Sequence, residues 1–134
     1  MRRPSRWSAD GGAVTTEMVI GMPLVLTVVL LLAQAALYLH ADHIAQATAS
    51  HALAATRVQD GTAGAGQNEA DYVLDRLGRG PLRDVHVTVN RGEEHAEVQI
   101  SGTASSVLPF LHLPVRARSA GPLEEFKPGG GAAS

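Results

Sequence analysis

Glu17 places a carboxylate directly ahead of an uncharged apolar run, Met18 to Leu39. A charged side chain at the centre of a bilayer costs about 2.5–3.5 kcal/mol on insertion scales, so an acid at the edge of such a run needs a partner or a task. Gly12 stands five residues before it, and Arg2, Arg3 and Arg6 precede both. The other residues able to do chemistry are histidines and acids. His40 and His43 lie one helical turn apart, with Asp42 between them and His51 two turns further on. Metal binding would need a completed ligand set, and no zincin-type HExxH or further local carboxylate supplies one. These histidines read as interfacial and solvated helix positions, and no metal or other cofactor is expected. His86, His95 and His112 are scattered, while Glu93, Glu94 and Glu97 sit on or beside a hairpin turn and read as solubility charges. With no nucleophile beside a base, no phosphate loop and no carboxylate pair, an enzyme is not expected.

The totals narrow the partners. The chain has 134 residues, enough for one modest domain and a membrane segment. Its 11 basic and 13 acidic residues give a net charge of -2, so nucleic acid is not an expected partner. There is no cysteine, which removes disulfides and thiolate metal sites and leaves the redox compartment open. An aromatic content of 4% leaves little material for a stacking platform.

From Met18 to Leu39 the polar interruptions are Thr27, Gln34 and the Tyr38 hydroxyl. As a helix this run spans about 33 Å, the thickness of a bilayer. Basic residues lie just before it and the next after it is Arg57, which predicts a single pass with the N-terminus in the cytoplasm and the C-terminal part outside. Tyr38 is expected at the far interface, and Trp7 either at the cytoplasmic headgroups or in a plain tail. A cleavable secretory signal with "AQA" at 33–35 is the competing reading. Asp10 and Glu17 fit it poorly, and the apolar helix continues through "ALYL" beyond the cut. The Arg2–Arg3 pair alone is a weak twin-arginine signal.

The order of basic leader, Gly12, Ala13, Val14, Thr15, Thr16, Glu17 and apolar helix resembles the processing site of type IV pilin precursors. With its small residues after the glycine and with Pro23 six residues after Glu17, "GAVTTEMVIGMPLVLTVVLLL" resembles the N-terminus of TadE-like proteins, pilin-like components of tight-adherence (Flp) pilus systems. The resemblance implies cleavage after Gly12 by a prepilin peptidase, which frees the amine of Ala13. Positions 13 and 17 share a helix face, so the new ammonium would lie near the Glu17 carboxylate. In the family the fifth-position Glu is thought to register an incoming subunit by meeting a neighbour's amine. The partners implied are the prepilin peptidase, other pilin-like subunits, an inner-membrane assembly platform with its ATPase, and membrane lipid. Major Flp pilins are much shorter and usually carry an aromatic after the Glu, whereas Met18 stands here and a sizeable C-terminal part follows. That favours a minor pilin-like role. Taken singly, each residue also has a plainer reading: Gly12 as part of a "DGG" linker, Glu17 as an acid favourable to the helix dipole, Pro23 as a membrane helix kink.

The elements that carry this segment follow from pattern. "HADHIAQATASHALAATRVQD" lacks Gly and Pro, so the helix is expected to reach about Val58 before "DGTAGAG" breaks it. Ten alanines between Ala33 and Ala55 leave a slim surface suited to lateral packing against similar helices, or to a solvated spacer, more than to burial under a large domain. A second helix is expected over "NEADYVLDRLGRG", capped by Asn68, striped by Ala70, Val73, Leu74 and Leu77, and ended by Gly78 and Gly80. "DVHVTVN" and "HAEVQISG" alternate as a hairpin with Val85, Val87, Val89, Ala96, Val98 and Ile100 on its greasy face. "LPVRARSAG" follows as a third strand after the proline-bounded "LPFLHLP".

The predicted class is α+β and pilin-like: a long transmembrane and stalk helix, a short helix, and a small antiparallel sheet. The expected divisions are a basic cytoplasmic leader over 1–12, the membrane and stalk helix over 13–59, an extracytoplasmic α+β domain over 66–120 and a disordered tail over 121–134. The expected function is that of a minor pilin-like (pseudopilin) protein of the inner membrane, with incorporation into a surface pilus left open. The alternative is a single-pass anchor carrying an extracytoplasmic binding module.

Overall fold

The computed structural model of the chain describes residues 9–58, 60–77 and 80–125. Helix α1 occupies Ala9–Arg57 as one element. It runs through Pro23, whose missing N–H leaves the Val19 carbonyl without its usual donor. Hydroxyls along the helix are satisfied by its own backbone: Thr15 donates to the Gly11 carbonyl at 2.7 Å, Thr16 to Gly12 at 2.9 Å and Thr27 to Pro23 at 2.7 Å. At the C-terminal end, where carbonyls lack helical partners and the dipole is negative, Arg91 serves a helix carbonyl while Arg57, in the last turn, ties the helix to Pro122. Arg91 Nη1 donates to the Thr56 carbonyl, and Arg57 Nε donates to the Pro122 carbonyl at 2.6 Å.

Helix α2, Ala63–Leu77, starts earlier than the glycines suggest. Thr62 caps it, its hydroxyl accepting from the Ala65 N–H at 3.0 Å, while Asn68 is an exposed interior position. The reason is a close approach. A Cβ on Gly66 would fall 2.0 Å from Thr56 Oγ1, so glycine is what lets α2 touch α1, and that contact outweighs its low helix propensity. Ala70, Val73 and Leu74 are buried as the stripe predicts, but Leu77 is 46% exposed and not part of it. Gly78, expected at the helix end, lies outside the described residues.

Strands β1 (Leu82–Arg91), β2 (His95–Ala104) and β3 (Leu113–Pro122) form an antiparallel meander in that order. The register pairs Val89 with Val98, Val87 with Ile100, and Ile100 with Ala117, so the apolar alternation of all strands falls on one face. An irregularity between Arg83 and His86 places Asp84 at φ 51°, a left-handed conformation that Asp tolerates better than most residues. The layout is the α+β one expected, a long helix, a short helix and a three-stranded sheet.

The sheet's apolar face and α2 close on the C-terminal half of α1. Leu74, Leu82, Val98, Ile100 and Val115 are fully buried, each large aliphatic contributing about 1.5–3 kcal/mol by leaving water. On α1 their counterparts are Ala41, Ala45, Ala49 and Ala52, all at 0% exposure. This corrects the expectation for the alanine surface: it meets the chain's own sheet, because side chains this small let strands lie close against a helix. The dimensions agree. From Gln34 to Arg57 the helix rises about 34 Å, and a ten-residue strand extends about 33 Å. Residues 121–125, expected in the tail, continue the fold: the Leu123 N–H donates to Glu94 at 2.8 Å and the Glu124 N–H to Arg57 at 3.0 Å. The remainder of the expected tail, 126–134, lies outside the described residues, as do residues 1–8 of the leader.

Candidate functional site: the exposed half of the long helix

Gly12, Ala13, Glu17 and Pro23 all lie on α1, ahead of anything that covers it. Every large apolar side chain from Val14 to Leu26 is at least 60% exposed, including Met18, Ile20, Met22 and Leu24. Exposure continues through Val28, Val29 and Leu31 to Leu32. This half is apolar on all sides, the pattern of a helix whose solvent is lipid or other helices. It belongs to a helix long and apolar enough to cross a membrane, as expected from Met18 to Leu39.

Glu17 interrupts this surface. It is exposed and has no hydrogen-bond or ion-pair partner among the described residues. It shares a shallow recess with Val14, Met18, Gly21, Met22 and Val25. Gly21, one turn above the acid, removes side-chain bulk on its side and lets a second backbone come near. The arrangement can receive one cationic group at the acid and one helix along the groove. Nothing crowds Gly11 or Gly12, since a Cβ at either would meet no atom within 4 Å.

Sequence reading missed the upper limit of this exposed half. Gln34, counted as a polar interruption within the membrane run, is only 3% exposed. Its Oε1 accepts from the Val107 N–H at 3.0 Å and the Ser106 hydroxyl at 2.8 Å, and its Nε2 donates to the Ser105 carbonyl at 3.4 Å. Tyr38, expected at the far interface, packs partly buried against the domain core. The stretch that is uncovered on every side therefore ends near Leu32: from Gln34 the domain covers one side of the helix, while Leu39 on another side is still 56% exposed. A charge-free loop in "TASSVLPFL" was the available signal, but nothing in its spacing names a glutamine some seventy residues earlier.

The family model described as TadE-like protein matches residues 12–53, beginning on Gly12 itself. Residues 12–53 are TadE-like. No curated protein and no solved structure matches the chain. The matched segment contains Glu17, Pro23, Gln34 and most of the buried alanine face.

The domain offers a second surface of different character. The outward face of the sheet is polar, with His86, Thr88, Gln99, Arg116 and Arg118 around a shallow depression. Arg118 Nη2 lies 2.7 Å from Glu97 Oε2, and this guanidinium, aided by the Gln99 amide, holds the Glu97 carboxyl below its usual range. His40, His43 and His51 are all exposed on α1.

Proposed function

We propose that this chain is a minor pilin-like, pseudopilin-type subunit of a tight-adherence pilus or a related secretion apparatus. A prepilin peptidase cleaves it after Gly12 on the cytoplasmic side of the inner membrane. It then assembles with other pilin-like subunits through its exposed helix, using a platform and its ATPase. The observation that supports this reading is Glu17, without a partner among the described residues, in the apolar and uncovered half of α1, where the family match opens at Gly12. A carboxylate there gains most from an ammonium, and cleavage creates one at Ala13, on Glu17's own helix face or on a neighbour's.

Mass spectrometry of the protein from cells containing the peptidase is expected to read Ala13 as the first residue; an uncleaved leader refutes the processing step. Glu17→Gln is expected to leave membrane insertion intact and abolish co-assembly with other pilin-like subunits, and normal assembly would sink the registration role. An anchored binding module is the second reading, supported by the polar outer sheet face. Replacing 18–32 by an unrelated membrane helix separates the two, since a tether survives the exchange. The replacement stops at 32 because Gln34 and Tyr38 belong to the domain.

A further inference from the structure

The connection between β2 and β3 combines two features that nothing in the assembly reading uses. It is apolar and exposed: Phe110 is 78% exposed, more than any other large hydrophobic among the described residues, and Val107 is 45% exposed. It is also fixed to α1 at one level, by the three hydrogen bonds to Gln34. That level is where the helix stops being uncovered on every side, with Leu39 the one large apolar side chain of the run still exposed beyond it. Val14 to Leu32 rises about 27 Å, close to the hydrocarbon thickness of about 30 Å, and Gln34 is the next half-turn.

We infer that this loop is a second membrane contact, inserted into the interfacial layer of the leaflet on the domain side, with Phe110 and Val107 as its anchors. The inference rests on reading α1 as membrane-spanning. Lipid is the occupant because the loop is held against the helix at the end of the stretch that is apolar and uncovered on every side, within reach of the headgroup layer. No Asp, Glu, Lys or Arg occurs from Ala104 to Leu111 to oppose entry. The backbone is prepared for a drier setting as well: the Leu111 N–H donates to Leu108 at 3.1 Å, and the Ser106 hydroxyl accepts from the Leu108 N–H at 3.0 Å while donating to its carbonyl at 2.6 Å. Non-helical backbone with partial internal satisfaction suits the interface and not the hydrocarbon centre. Arg83 and His112, beside the loop, can face phosphates there, with Asp84 their one acidic neighbour around the same recess.

The test uses the full chain in vesicles of phosphatidylethanolamine and phosphatidylglycerol, with Trp7→Phe combined with Phe110→Trp, and acyl-chain-labelled lipids as quenchers. Blue-shifted emission, quenched most by labels at shallow chain positions, is expected. Water-like emission without quenching overturns the inference. A parallel protein with Trp7→Phe and Leu26→Trp reports on the helix. Deep quenching there with a water-exposed signal from the loop defeats the loop contact alone, whereas no quenching at either site defeats the membrane-spanning reading and the inference with it. Blue-shifted emission that reverts to water-like on dilution of the protein in lipid would assign the loop to a neighbouring subunit and also overturn it.

Discussion

The two halves of α1 share one continuous backbone and each carries an apolar surface, yet these surfaces meet opposite surroundings. From Val14 to Leu32 the side chains are large and every side of the helix is apolar and uncovered. From Ala41 to Thr56 the apolar face is mostly alanine and completely covered, with His40, His43, Ser50 and His51 left on the outside. Hydropathy separates the halves as wholes, since His40, Asp42, His43, Gln46 and His51 all fall in the second, but it does not say why the second half's apolar face is alanine. Side-chain volume does: bulky Leu, Val and Met suit fluid lipid, whereas a fixed sheet at short range needs small side chains of fixed shape.

Exchanging volume between the halves is the strongest challenge to this contrast. Ala49→Leu inserts three carbons into the core between α1 and the elements that cover it and is expected to cost about 1–3 kcal/mol of domain stability, read as a lower urea midpoint in micelles. Leu26→Ala, in the uncovered half, is expected to leave that midpoint unchanged. Equal effects would show that the halves are not energetically distinct.

A smaller effect is expected at the helix pair. Gly66→Ala gains about 1 kcal/mol of helix propensity but drives its Cβ into Thr56, which must give up its 2.7 Å bond to the Ala52 carbonyl. Overpacking wins, for a net loss of about 1 kcal/mol. Gly64→Ala has room, with only Thr62 Oγ1 at 3.6 Å, and should instead stabilise by about 0.5–1 kcal/mol. Opposite signs from two glycines one turn's half apart would confirm that contact, not propensity, starts α2 where it does.

The least effect belongs to Glu97 and Arg118, an exposed pair on the sheet's outer face. Because the folded carboxyl titrates below its unfolded value, any stabilisation is present above the ordinary carboxylate range and fades as pH falls through the lowered one. Glu97→Gln is therefore expected to leave the neutral-pH midpoint nearly unchanged and to flatten only its acid dependence.

The strands and the TadE-like start were legible because their signals are local. Val98 and Ile100 alternate with Glu97 and Gln99, and Gly12, Glu17 and Pro23 sit within a dozen residues. The misreadings all involve contacts distant in sequence. "DGTAGAG" reads as a breaker until Thr56 is known to lie against Gly66. Gln34 reads as a flaw in a membrane run until Ser105, Ser106 and Val107 are brought to it. Alanine announces that something comes close without saying what, so a neighbouring helix and the chain's own sheet were equally compatible with it.

The rigid tie at Gln34 makes the residue count between it and Glu17 a mechanical setting. Each helical residue turns the axis by about 100° and advances it about 1.5 Å. The bearing of the sheet relative to the acid is thus geared, and one inserted residue in 20–30 would swing the whole sheet by more than a quarter circle while barely changing its height. A subunit so altered would still enter the bilayer, but it would present a different flank to whatever stands beside it.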